Sequence, residues 1–186
     1  MTNYRPFSLL NPFSKILEKI IYDRLFKHIQ INNILVEEQF GFRTSSSTDK
    51  AVFKLIYEIL KALNYKLMVG GIFCDLQKAF DCVNHNLLLP KLEFHGITGT
   101  AYKLIKSYPE GRYQRVVLNN MSFDSYSKWG EIKHGVPQGL LLGPLLLLIH
   151  INDLPKISND NSKMSYSETI LVLSLLTLNL QPLKTV

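Results

Sequence analysis

The sequence predicts an α+β fold, and three stretches carry that expectation. Apolar residues recur at Phe13, Ile16, Leu17, Ile20, Ile21, Leu25 and Ile29, the stripe of an amphipathic helix. The apolar run from Leu67 to Cys74 has the length of a buried strand and ends abruptly in a carboxylate, Asp75. Gln114 to Leu118 and Tyr126 to Ile132 read as two strands joined through Asn119-Asn120, residues that tolerate the positive φ of a tight hairpin turn.

Taken in order, the first helix opens at Asn11-Pro12, with asparagine as N-cap and proline at the first helical position. Lys15, Lys19, Asp23, Arg24 and Lys27 fill its other faces, and Asn32-Asn33 stops it. Glu37 to Ser47 reads as loop, with Gly41 and four consecutive hydroxyl residues from Thr44. A second helix is expected from about Thr48 to Leu63, with Leu55, Ile56, Ile59, Leu60 and Leu63 inward. After the Asp75 strand, Asn84 or Asn86 caps a short helix that Gly96 ends. Pro90 falls inside that helix, where it removes a hydrogen bond and clashes with the preceding turn, a cost of roughly 3 kcal/mol. Either the helix starts late, with Pro90 in its first turn, or it is damaged. A helix from about Thr100 stops before Pro109. Gly135 to Gly139 is a turn into the Leu-rich run Leu140 to Ile151, which reads as a buried helix ended by Asn152 to Pro155. Ser158 to Lys163 reads as polar loop, and Ile170 to Leu180 is again apolar.

The chain has 186 residues, enough for one sizeable domain, and its 46% hydrophobic and 19% charged content is that of a globular protein. Its net charge of +6 favours a polyanionic partner. Residues 1–70 hold 10 Lys/Arg against 6 Asp/Glu, and the remaining 116 residues hold 11 against 9, so the basic excess lies mainly in the first third. Cys74 and Cys82 suggest neither a disulfide framework nor a zinc spacing, which fits a nuclear or cytoplasmic, intracellular setting. The longest apolar run is too short for a membrane span and carries Gly143, Pro144 and His150, so no membrane partner is expected.

Asp75-Leu76-Gln77-Lys78-Ala79-Phe80-Asp81 resembles the first catalytic-aspartate motif of reverse transcriptases. Gly135-Val136-Pro137-Gln138-Gly139 with Leu142-Gly143-Pro144 resembles the second palm motif of that family. Asn3-Tyr4-Arg5-Pro6 with Ser8-Leu9-Leu10, and Gln39-Phe40-Gly41-Phe42-Arg43 with Ser47-Thr48, are similar to the fingers motifs of non-long-terminal-repeat, jockey-like retrotransposons. Four motifs stand in the family's order. The resemblance implies a right-hand polymerase fragment: fingers-like at residues 1–66, palm-like at 67–186 and incomplete at the C-terminus, with the thumb absent.

By that resemblance the partners are an RNA template, a DNA primer and a dNTP, and the cofactor is Mg²⁺. In-line nucleotidyl transfer uses two such ions to stabilise the attacking and leaving oxygens, and hard Mg²⁺ takes oxygen ligands. The resemblance makes Asp75 the catalytic carboxylate and metal ligand, with the Leu76 backbone carbonyl as a further ligand. It gives Phe80 the place beneath the sugar, and sets Arg43, Gln138 and Gly139 at the nucleotide. Arg5, Gly135 and Pro137 fall at the nucleic acid. Each has a plainer alternative: a turn cap for Asp75, a core aromatic for Phe80, a surface ion pair for Arg5 or Arg43, and a helix-entry turn for Gln138 and Gly139.

The family's aromatic-Ala-Asp-Asp turn is expected near residues 164–169, where the sequence reads Met164-Ser165-Tyr166-Ser167-Glu168-Thr169. With Thr169 in register, Ser167 and Glu168 replace the two aspartates; with Tyr166 in register, one residue is deleted. At most one carboxylate, Glu168, remains for metal. The expectation is therefore a reverse transcriptase domain fragment that does not catalyse. A non-catalytic nucleic-acid-binding remnant and a poorly folded product are the alternatives.

Overall fold

In the computed structural model, the described residues are 11–43, 46–75, 78–119, 124–137, 139–157, 162–165 and 171–178; for 75, 119, 124, 157, 162–165 and 171–178 only the backbone is described. Five helices and seven strands make up the described fold. They fall into two compact units, each discontinuous in sequence: residues 1–22 with 78–150, and residues 23–77 with 151–186.

Helix α1 (Pro12–Ile31) starts as its residue types dictate. The Ser14 N–H donates to Asn11 Oδ1 at 2.9 Å, and the helix ends where Asn33 takes φ +47°. Its apolar stripe is only half used. Leu25 and Ile29 are buried, but Phe13, Ile16, Leu17 and Ile20 are exposed, Phe13 to 83%. Helix α2 (Thr48–Asn64) is capped by Ser47, whose side chain accepts from the Lys50 N–H. Its expected inward face is also open: Ile56, Leu60 and Leu63 are exposed, and Ala62 is the helix's fully buried side chain.

In the unit of residues 23–77 and 151–186, β1 (Met68–Asp75), β6 (Ser162–Ser165) and β7 (Leu171–Leu178) form an antiparallel sheet in the order β1-β7-β6. Residues 162 and 163, expected in a loop, are strand because they pair with Leu176 and Leu175. The expectation of a buried β1 is corrected. Ile72 and Phe73 are exposed, Phe73 to 63%. The strand lies at the sheet's edge, and an open apolar pocket of about 500 Å³ lies between α2 and β1, lined by Leu55, Ile59, Leu63, Leu67 and Phe73 among others. Gly71, which lines it, offers no side chain to fill it.

In the unit of residues 1–22 and 78–150, helix α3 (His85–Phe94) is capped by Asn84, whose side chain accepts from the Asn86 N–H. The helix neither starts late nor breaks. Pro90 is its sixth residue, so the Asn86 carbonyl loses its intrahelical partner. Leu88, Leu89 and Leu92 are buried on both sides of the proline and hold the helix together. Helix α4 (Gly99–Ser107) follows, then strands β2 (Tyr113–Gln114), β3 (Val117–Asn119), β4 (Asp124–Tyr126) and β5 (Gly130–Glu131). Asn119 is not in the hairpin turn, because it pairs with Asp124; Asn120 lies outside the described residues. Helix α5 (Leu142–Ile151) is the buried helix that its composition predicts, with Leu142, Gly143 and Leu145 to Ile149 all buried. A short 3-10 turn, Leu154–Ile157, follows Asn152.

Candidate functional site

The backbone places Asp75 at the last position of β1, opposite Leu171 at the first position of β7. Strand β6 pairs with β7 through Ser165 and Leu173. Asp75 therefore sits at the sheet end where residues 166–170 connect β6 to β7. Leu76, Ser167 and Glu168 lie outside the described residues.

Asp75 is the one carboxylate residue of strands β1, β6 and β7. Among the described residues, no group of three or more His, Cys, Asp or Glu is placed to hold a metal ion. Two divalent ions side by side need several anionic oxygens to offset their charge, and a serine hydroxyl supplies none. The described residues by themselves do not make up the donor set of a two-ion centre.

Arg43 belongs to the same unit. Its Nη1 donates to the Val36 carbonyl at 2.8 Å, so one arm of the guanidinium closes the loop 36–43 on itself. Buried Gln39 supports that loop by donating to the Gly41 carbonyl at 2.8 Å. Asn152 holds the loop's start: its Oδ1 accepts from the Val36 N–H at 3.0 Å, and its Nδ2 donates to the Ile34 carbonyl at 2.7 Å. Arg5 lies outside the described residues.

The other unit joins Phe80 to the 135–139 turn. The Val136 N–H donates to the Phe80 carbonyl at 2.8 Å, and the Gly135 N–H donates to the Val83 carbonyl at 2.8 Å. A third bond comes from buried His85, whose Nε2 lies 2.7 Å from the Gly135 carbonyl. A carbonyl only accepts, so Nε2 carries the proton. Gly135 has φ +90°, and a Cβ there would stand 2.8 Å from Asp81 Cα and 2.9 Å from the Phe80 carbonyl oxygen. No other residue fits this crossing. Pro137 is buried, Gly139 is exposed at φ +91°, and Gln138 lies outside the described residues. Two motifs about 55 residues apart in sequence, Phe80 to Gly135, thus form one stitched backbone platform.

Two buried residues of this unit are not singled out by sequence patterns. His85 is one, although its place just after Asp81 in Asp81-Cys82-Val83-Asn84-His85 is a local signal. Glu18 is the other. It is 4% exposed, and its Oε1 accepts from the Leu142 N–H at 2.9 Å and from the Tyr108 O–H at 2.9 Å. The carboxylate caps the start of α5, where helix amides lack partners. Burial, and then the bond to Glu18, push the Tyr108 phenol up beyond the ordinary tyrosine range. Burial draws the Arg112 guanidinium down from its usual value.

A family model described as reverse transcriptase (RNA-dependent DNA polymerase) matches residues 1–174. The chain is 40% identical over 153 residues to a probable RNA-directed DNA polymerase from transposon BS of Drosophila melanogaster, covering 82% of this chain. It is 35% identical over 166 residues to the RNA-directed DNA polymerase from mobile element jockey of Drosophila funebris, covering 89% of this chain. It is 34% identical over 154 residues to a probable RNA-directed DNA polymerase from transposon X-element of Drosophila melanogaster, covering 83% of this chain. The matched stretch spans 16%, 17% and 16% of those three relatives in the same order, so the chain corresponds to about one sixth of their length.

Proposed function

The chain belongs to the reverse transcriptase family, as a domain of the non-LTR retrotransposon kind, and we propose that it keeps a grip on nucleic acid without adding nucleotides. Members of the family copy RNA templates onto DNA primers and use Mg²⁺. In this reading residues 1–66 serve as fingers and 67–186 as palm. Phe80 and Gly139 meet the primed template and nucleotide over buried Gly135 and Pro137, and by resemblance to the family Gln138 and Arg43 serve the nucleotide and Arg5 the nucleic acid. The setting is intracellular, in keeping with Cys74 and Cys82 not forming a disulfide.

One observation carries the proposal. Asp75 closes β1 opposite the first residue of β7, and the sequence between β6 and β7 reads Ser167-Glu168 in place of an aspartate pair. Phosphoryl transfer is accelerated almost entirely by positioning and charge stabilisation, so losing such ligands costs orders of magnitude in rate. Binding has a different basis. The platform at Phe80 and Gly135 is held by backbone bonds and buried His85, none of which involves metal. A net charge of +6 supplies the phosphate attraction.

The test is the binding of a fluorescein-labelled primed RNA template to the full chain, followed by anisotropy as salt rises from about 50 to 200 mM. The proposal expects affinity that falls steeply with salt and does not respond to Mg²⁺ with dNTP. Absence of salt-dependent binding contradicts the proposed grip. A gain in affinity that requires Mg²⁺ and dNTP together contradicts the loss of the metal site.

A further inference from the structure

Strands β2 to β5 form a hairpin that buries neither face: every side chain described from Tyr113 to Leu118 and from Ser125 to Glu131 is exposed. A two-stranded ribbon of this kind gains little stability by itself. Its ladder is also broken. Gln114 pairs with Gly130 and Val117 with Tyr126, so Arg115 and Val116 stand opposite three residues, Ser127, Lys128 and Trp129. That extra residue is a bulge, the device by which a strand re-aims a side chain. Ser127 fixes it: its N–H donates to the Val116 carbonyl at 3.0 Å, its Oγ accepts from the Val116 N–H at 2.9 Å, and its hydroxyl donates to the Lys128 carbonyl at 3.0 Å.

The bulge brings Arg115 to two aromatic rings at once. Its guanidinium carbon lies 4.5 Å from the Tyr126 ring centre and 4.7 Å from that of Trp129. Each contact is an exposed cation–π pair, worth about 0.5–1 kcal/mol. Yet Trp129 is 61% exposed and Tyr126 51%. Three flat groups are thus held in fixed orientation and left open to solvent, so a ligand stacking on them meets little ordering cost.

We infer that this face of the hairpin is a base-stacking platform for single-stranded nucleic acid. The inference rests on the proposed nucleic-acid grip and adds a site outside the Phe80–Gly135 platform. Nucleobases stack on aromatic rings and guanidinium planes with little regard to sequence. Over residues 112–133, Arg112, Arg115, Lys128 and Lys133 stand against Asp124 and Glu131, so a polyanion meets a cationic excess. A duplex does not fit, because its base faces are already stacked on one another.

Trp129 is the only tryptophan in the chain, so its emission reports this site alone. The full chain is titrated with a fluorescein-labelled oligouridylate of about 12 nucleotides, within the range of such sites. Label anisotropy reads binding anywhere on the protein. The inference expects Trp129 emission to be quenched with the same midpoint as the anisotropy rise. It also expects Tyr126→Ala and Trp129→Ala to weaken binding about tenfold, and Trp129→Phe to stay within about threefold because the ring remains. Anisotropy that rises while Trp129 emission stays constant overturns the platform and leaves the nucleic-acid grip standing. No change in either signal overturns both. Equal quenching by a blunt RNA duplex overturns the assignment to single strands.

Discussion

A carboxylate withdrawn from water must be hydrogen-bonded, and Glu18 meets that requirement through the Leu142 amide and the Tyr108 phenol. Truncation leaves both donors without an acceptor. Glu18→Ala is expected to lower the unfolding free energy by about 2–4 kcal/mol. Urea denaturation reads this as a lower midpoint at an unchanged slope. Tyr108 adds a dependence on pH. Its phenol is held protonated above the ordinary tyrosine value of 10.0, first by burial and then by Glu18. That contribution is whole below pH 10 and is lost as pH rises further, because the unfolded chain releases the proton more readily. Tyr108→Phe is therefore expected to lessen the alkaline loss of stability, shown by thermal midpoints compared at neutral pH and above pH 10. None of this was legible from periodicity. Glu18 falls on a charged face of α1 in the sequence, and only the fold brings the Leu142 amide to it. Gly135 was legible as a turn residue, but its crossing against Asp81 depends on a pairing 54 residues away in sequence.

At the scale of elements, helix caps and breakers were readable because their chemistry is local. Asn11, Ser47 and Asn84 each cap a helix; Asn11 was named in the sequence as a cap and Asn84 as one of two choices, whereas Ser47 was read as the end of a loop. Strand β1 was readable as a strand ending at Asp75, and α5 as a buried helix. Burial of the other stripes was not, since a stripe records what a helix is able to bury rather than what covers it. The exposed residues of α1 and α2 and the gap beside β1 illustrate the difference. Helix α3 offers a sharper case. Its proline lies mid-helix and exposed, so replacing it restores one hydrogen bond and removes a clash without disturbing buried leucines. Pro90→Ala is expected to raise stability by about 1–3 kcal/mol, seen as a higher thermal midpoint. A lower midpoint would mean that the bend itself positions Leu88 and Leu92.

At the scale of the whole molecule, the family was legible because four motifs in order are specific, and the family model and the retrotransposon relatives agree with it. The Ser167-Glu168 pair was legible as residue types; the β1–β7 register places Asp75 opposite the first residue of β7, and residues 166–170 lie outside the described residues. The hairpin platform was not legible, because the bulge that gathers Arg115, Tyr126 and Trp129 breaks the alternation that marks a strand. The measurement closest to the central claim is primer extension on a primed RNA template, with Mg²⁺ and dNTPs, beside an Asp75→Ala control. The account predicts no incorporation above background by either protein. Incorporation by the native chain that disappears in Asp75→Ala would contradict it, by showing that Glu168 or another group completes the metal site.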